Sequence, residues 1–142
     1  MTRLAGILSQ ASSPLSRIDE EPAARRPAPG RWSKKEILGH LIDSASNNHQ
    51  RWVRAQLAPS IEFPGYEQDA WVRSQAYQTE PWADLVELWL ALNRHLVHVI
   101  EAMPPESLDH TCIVAGRAPV TLASLIEDYA SHLEHHVTQL FL

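Results

Sequence analysis

The sequence predicts an all-α protein, and three observations carry that expectation. Apolar residues recur at helical spacing along most of the chain, proline and glycine cluster between the periodic segments, and no stretch alternates apolar and polar residues for long enough to require a strand. At 142 residues the chain is expected to form one domain, residues 1–142, with enough buried surface for a core that needs no covalent staples.

The elements follow in order. Residues 2–19 read as a first helix, interrupted in its middle by Ser12, Ser13 and Pro14, and EEPAARRPAPG reads as a turn-rich connection. Ser33 with Glu36 three residues later is a capping-box signature, so a second helix is expected from Ser33 to about Leu57, before Pro59. The segment FPGYEQDAWVRSQAYQ has room for a short extra helix. Thr79 and Pro81 open a third long helix through WADLVELWLALNRHLVHVIEAM, stopped by Pro104 and Pro105. HTCIVAGRAPV reads as irregular or as a small hairpin, and Thr121 caps a fourth helix that carries SHLEHHVTQL to the end of the chain.

Composition excludes several classes of function. The single cysteine, Cys112, has neither a disulfide partner nor a CxxC neighbour, which suits a reducing compartment. Net charge is −5 and the only arginine pair, Arg25 and Arg26, stands alone among alanine and proline, so nucleic acid is not an expected partner. The N-terminal apolar run is too short for a signal peptide, and no stretch of about 18 apolar residues exists for a membrane span. A cytoplasmic protein with a small-molecule partner is the expectation.

Three histidines in SHLEHHVTQL call for an explanation. Leu122, Ile126, Tyr129, Leu133 and Leu140 define the apolar stripe of the fourth helix; His136 falls beside Tyr129 and His132 at the edge of the stripe, so both are expected to point inward. His135 lies with Asp128 on the polar side and reads as solvated. The i, i+4 spacing lets His132 and His136 reach one ion, although such a pair is a weak signal by count, and two buried imidazoles bonded to neighbours are the bland alternative.

The second helix shifts that balance. Ile37, Leu41, Ala45, Trp52 and Ala55 make its core stripe, with His40, Asn47 and Arg51 in a column along the edge and Ser44 and Asn48 inside it. Polar groups on a buried face are costly when unpaired, about 1–3 kcal/mol each, so a polar cavity is the economical reading. His40, His132 and His136 then supply three neutral imidazoles, a donor set suited to a divalent transition metal with an open coordination position. Of the others, His98 reads as solvated, His95 lies at a boundary, and His49 and His110 are set aside.

The stretches RWSKKEILGHLIDSASNNHQRW and YASHLEHHVTQL resemble the DinB/YfiT superfamily of small helical proteins. Its W-S/T-x-x-E-x-x-x-H-L segment matches Trp32, Ser33, Glu36, His40 and Leu41, and its C-terminal H-x-x-x-H matches His132 and His136. FPGYEQDAW and the loop with Gly116 are also similar, so the resemblance covers about residues 15–140; Ser12-Ser13-Pro14 departs from a smooth family helix. The resemblance implies a four-helix bundle with crossover connections, a three-histidine site for nickel or zinc, frequent homodimerisation, and thiol S-transferase or hydrolase-like chemistry on small molecules, a low-molecular-weight thiol among them. Within that frame Asn47 and Arg51 are the candidate catalytic residues, and Asp43 and Gln139 are candidates to orient an imidazole. A non-catalytic, stress-related bundle that binds a small ligand or a metal is the alternative. Trp71, Trp82 and Trp89 gather near the third helix; Trp71 and Trp82 lack an obvious core position, which also suggests a homodimer.

Overall fold

Four long helices form where the apolar periodicity puts them, and their caps show why. In the computed structural model, which describes residues 2–141, α1 spans Arg3–Ser16 and begins where the Thr2 hydroxyl accepts from the Ala5 N–H at 3.1 Å. Ser12 to Pro14 do not interrupt it. Pro14 sits in the last turn, and Leu4, Ile7, Leu8, Ala11 and Leu15 bury one continuous face. The connection after it is partly helical: α2, Glu20–Ala24, forms where the sequence suggested only turns, with Glu20 and Glu21 in its first turn and Ala23 buried.

The second long helix, α3, runs Lys34–Gln56. Ser33 Oγ accepts from the Glu36 N–H at 3.2 Å while Glu36 Oε1 accepts from the Ser33 N–H at 3.1 Å, which is the expected capping box. Its burial is not one stripe. Every residue from Leu38 to Ala45 is buried, because α5 and α6 pack on one side and shorter elements cover the other. Those covers are α4, Gln68–Ser74, and a 3-10 turn, Tyr77–Thr79. Helix α5 spans Trp82–Ala102 from a cap at Pro81, and α6 spans Leu122–Gln139 with Thr121 Oγ1 accepting from the Ser124 N–H at 3.1 Å. Helix α1 closes the bundle against α5 and α6.

On α5 the buried face is Trp82, Leu85, Val86, Trp89, Leu90, Asn93 and Leu96, rotated from the stripe of Leu85, Leu88, Leu92 and Leu96 that helical spacing in the sequence suggests, and Leu88 is 46% exposed. Trp82 does have a core position: it is buried, and its indole N–H donates to the Leu15 carbonyl at 3.1 Å. Three short strands also form, against the expectation of at most a hairpin. They are β1 Ser60–Phe63, β2 Thr111–Val114 and β3 Val120–Thr121, in the order β1-β2-β3. β2 and β3 are the antiparallel hairpin anticipated in HTCIVAGRAPV. β1 pairs in parallel with β2, Ser60 opposite Thr111 and Phe63 opposite Val114, and a four-residue strand with a single buried side chain offers no alternation to detect. Among the described residues no helix is long and apolar enough to cross a membrane.

Gly39 marks the closest approach of the 3-10 turn to α3. A Cβ there would stand 2.1 Å from Tyr77 Cδ2, and the ring is pinned because its hydroxyl donates to Asp43 Oδ1 at 2.7 Å. Gly39→Ala should therefore destabilise the protein by about 1–3 kcal/mol, contrary to the usual helix preference for alanine. Thermal unfolding of the two proteins checks this, with a melting temperature lower by roughly 5–10 °C expected for the variant.

Candidate metal centre

His40 lies in the middle of the fully buried part of α3 and is itself 1% exposed. The Trp32 ring covers it at a centroid distance of 5.4 Å. From α6, one turn apart, His136 and His132 approach it at centroid distances of 5.0 and 5.6 Å. A ligand nitrogen from each of the three lies within 4.8 Å of the others, although the chain between α3 and α6 holds three strands and two α-helices. The apolar anchors that fix α6 here are Tyr129, Leu133, Val137 and Leu140, all buried.

The protonation pattern suits donation to a cation. Burial first, then the neighbouring His136 and His132, push His40 down to about 4. His132 is also lowered, by burial and then by His136 and His135. His136 Nδ1 is 2.9 Å from Gln139 Oε1, an acceptor only, so the proton of the neutral ring sits on Nδ1 and Nε2 keeps its lone pair. That Nε2 faces His132 Nε2 at 3.0 Å. Neither ring nitrogen of His40 has a hydrogen-bond partner. A buried imidazole with both nitrogens orphaned costs about 1–3 kcal/mol unless something binds it, and a divalent transition ion shared with His132 and His136 answers that need.

The other predicted positions fall as follows. His136 is half-buried as expected, but His132 stays exposed, because it lines a cavity of about 650 Å³ that opens to solvent. Arg51 lines that cavity with Ser44 and Asn48. The Asn47 amide instead donates to the Asp43 carbonyl at 2.9 Å, one turn back on α3. Asp43 is buried; its Oδ1 accepts from Tyr77 Oη at 2.7 Å and Gln75 Nε2 at 2.8 Å, and its Oδ2 has no partner. Burial raises its carboxyl group against the pull of those two bonds. Gln139 does orient an imidazole, while His135 is exposed and His49 packs against His95 at 5.1 Å between ring centroids. Sequence reasoning missed Tyr66 and Arg117, which line the cavity from loops after β1 and β2. Glycines beside them, Gly65 and Gly116, were the available signal.

Comparison with known proteins bears on the family and the fold. The family model described as the DinB superfamily matches residues 8–140. An Oceanobacillus iheyensis protein named "Putative metal-dependent hydrolase" is 22% identical over 126 residues, 89% of this chain and 72% of its own length. A Bacillus mycoides protein of the same name is 23% identical over 111 residues; the match takes in 78% of this chain and 64% of that protein, less than two-thirds of it. Among solved structures, YfiT from Bacillus subtilis, a four-helix bundle of unusual topology, superposes with a TM-score of 0.74 at 18% identity over 96% of this chain and 83% of its own. A mycothiol-dependent maleylpyruvate isomerase superposes with a TM-score of 0.80 at 13% identity over 97% of this chain and 57% of its own. At such identities the structural likeness speaks for the fold alone.

The neutral, buried state of His40 has a consequence for the metal-free protein. Its folded value lies below the ordinary 6.5, so between about 6.5 and 4 the unfolded chain binds the extra proton and stability falls as pH falls. Chelator-treated protein should lose up to about 3 kcal/mol across that window, and His40→Gln should flatten the loss. Denaturant titrations at pH 7 and pH 4.5 measure both slopes.

Proposed function

The chain belongs to the DinB superfamily, and from that premise we propose that it is a metal-dependent enzyme in which His40, His132 and His136 hold a divalent transition metal, nickel or zinc. The observation that carries this reading is the buried His40 imidazole, orphaned on both nitrogens and packed against two further imidazoles. When bound, such an ion supplies Lewis acidity and a coordination position open to a small molecule. The protein's own groups do the rest. Gln139 holds the tautomer of His136, and Trp32 shields His40 from water. Of the two candidate catalytic residues, Arg51 meets the substrate in the cavity, and Asn47 supports the turn of α3 that presents it.

The chemistry we assign is hydrolase-like or thiol-transfer chemistry on a small molecule. The names of the relatives from Oceanobacillus iheyensis and Bacillus mycoides support the first, and the likeness to a mycothiol-dependent isomerase supports a low-molecular-weight thiol as co-substrate. A closed structural site needs a fourth protein donor, and among the described residues the histidine group has three members, with Cys112 buried in β2. This favours an enzyme over a bundle that only stores a metal.

Substitution separates the ligands from the bystanders. His40→Ala, His132→Ala and His136→Ala should each remove stoichiometric metal binding and abolish turnover while leaving a helical fold, whereas His49→Ala should leave both unchanged. Metal should stabilise the wild type by about 4 kcal/mol at a thousandfold excess over Kd, and the His40→Ala variant by little. Competition with a chromophoric chelator, melting temperatures with and without zinc or nickel, and paired assays for ester hydrolysis and for thiol addition to model electrophiles test the reading. Tight metal binding with no turnover in any assay would favour the non-catalytic alternative.

We also propose that the protein acts as a homodimer, with Trp71, Leu57, Leu88 and Phe141 supplying the exposed large apolar side chains that association would cover. Light scattering at tens of micromolar should give twice the 16.0 kDa of one chain.

A further inference from the structure

The cavity next to His132 carries more positive charge than its walls neutralise. Arg51 enters it half-buried from α3, and Arg117 enters it from the turn after β2. Neither guanidinium has an ion pair or a side-chain hydrogen bond among the described residues, and Asp128, the carboxylate on the lining, is bonded to neither. A half-buried arginine with no carboxylate beside it, near a second arginine, is unfavourable in the empty cavity. Burial lowers the affinity of Arg51 for its proton, and Arg117 lowers it further.

The scaffold spends strain to build this arrangement. Ala115 holds a φ of 55° and Gly116 one of 69°, and the Arg117 N–H closes the turn on the Val114 carbonyl at 3.0 Å. The Ala115 N–H donates to the Phe63 carbonyl at 2.9 Å, which ties this turn to the loop that carries Tyr66. A Cβ on Gly65 would meet the Ala115 Cβ at 3.0 Å, so the two loops touch above α3. A strained left-handed alanine persists only where the surrounding structure demands it, and here it delivers Arg117 to the cavity opposite Arg51.

We propose that this cavity binds a small organic substrate through a carboxylate held by Arg51 and Arg117, with the remainder of the molecule directed toward His132. This deepens the enzyme reading above and rests on it only for the fate of the bound molecule. Two guanidiniums against one wall carboxylate leave a single positive charge uncompensated, which matches a monoanionic carboxylate better than inorganic phosphate, a mixture of monoanion and dianion at neutral pH. The planar fork of arginine suits a carboxylate in two-point contact. Tyr66, whose hydroxyl burial first and then Asp43 keep neutral against the pull of Arg51 and of its hydrogen bond with Ser44, lies on the same wall.

Ligand-observed NMR titration tests the assignment, with benzoate and benzamide as a charged and neutral pair of nearly equal shape and inorganic phosphate as competitor. Benzoate should bind at least about tenfold more tightly than benzamide, and Arg51→Gln or Arg117→Gln should each weaken benzoate by about tenfold while leaving benzamide unchanged. Arg51→Lys, which keeps the charge and loses the fork, should fall between, and Arg54→Gln, an exposed arginine on the same helix, should behave as wild type. Arg117 sits on an exposed turn, so its variant leaves the core untouched if Arg51→Gln fails to fold. Equal affinity for benzoate and benzamide, unchanged benzoate binding in Arg117→Gln, or displacement of benzoate by phosphate at lower concentration would each overturn the proposal. Repeating the titration in His132→Ala separates the two readings: arginine-dependent benzoate binding there stands without any metal, and its absence alongside intact metal binding in the wild type sinks the carboxylate site alone.

Discussion

A helix buried on every side cannot be apolar on every side and still do chemistry, and α3 is built around that conflict. From Leu38 to Ala45 all of its residues are buried, and the run includes His40, Asp43 and Ser44. Each polar group has to find a partner, and most do so locally. The Asn48 amide donates to the Ser44 carbonyl at 2.8 Å, and Asp43 takes the Tyr77 hydroxyl and the Gln75 amide. These bonds fix where the 3-10 turn and α4 can lie. Asp43 Oδ2 and the Trp52 indole N–H stay unpaired on this helix, but His40 is the residue left without a hydrogen bond on either ring nitrogen, and it sits where three imidazoles meet.

That convergence is produced by packing. α6 is held by Leu133, Val137 and Leu140 in the core, by the Lys34 ammonium on the Leu140 carbonyl, and by Arg3 of α1, which contacts Glu127, Ser131 and Glu134 along its outer face. The ion pairs are exposed and contribute little individually; their value lies in setting the rotation of α6, and with it the direction of His132 and His136. Burial penalises a charge on His40 and His132, and a second protonated ring so close would repel the first; the depressed values of these two residues express both penalties. A site assembled by apolar contacts before an ion arrives costs little reorganisation on binding.

Much of this was legible in the sequence because it depends on local rules. The capping box at Ser33 and Glu36, the cap at Thr121 and the proline stops bound the long helices to within a few residues. The histidine group followed from helical spacing plus the oddity of a polar column on a core face. What was illegible depends on partners far along the chain. α3 looked like an edge-striped helix because nothing in its own residues reveals that α4 and the 3-10 turn cover its other side. Trp82 looked homeless because its acceptor is the carbonyl of Leu15, and β1 exists only through β2. Of the cavity wall the sequence pointed to Arg51, Ser44 and Asn48 on the helix, and to none of the loop residues.

The strands then acquire a purpose in an otherwise helical protein. A sheet of three short strands buries little and adds little to stability. It does bind the segment after α3 to the segment before α6, so that two loops distant in sequence share one edge. Across that edge the Phe63 carbonyl and the Ala115 N–H meet, and Tyr66 and Arg117 reach the cavity from either side of it. The helices supply Ser44, Asn48, Arg51, Asp128 and His132 to the cavity wall, and the loops add Tyr66 and Arg117. The guanidiniums of Arg51 and Arg117 carry positive charge where solvent still reaches, whereas the His40 imidazole is buried where a charge would be expensive. An anion held as proposed would be gripped by one guanidinium fixed on α3 and one fixed on the turn after β2, so the spacing of the pair depends on the sheet that ties the two loops together.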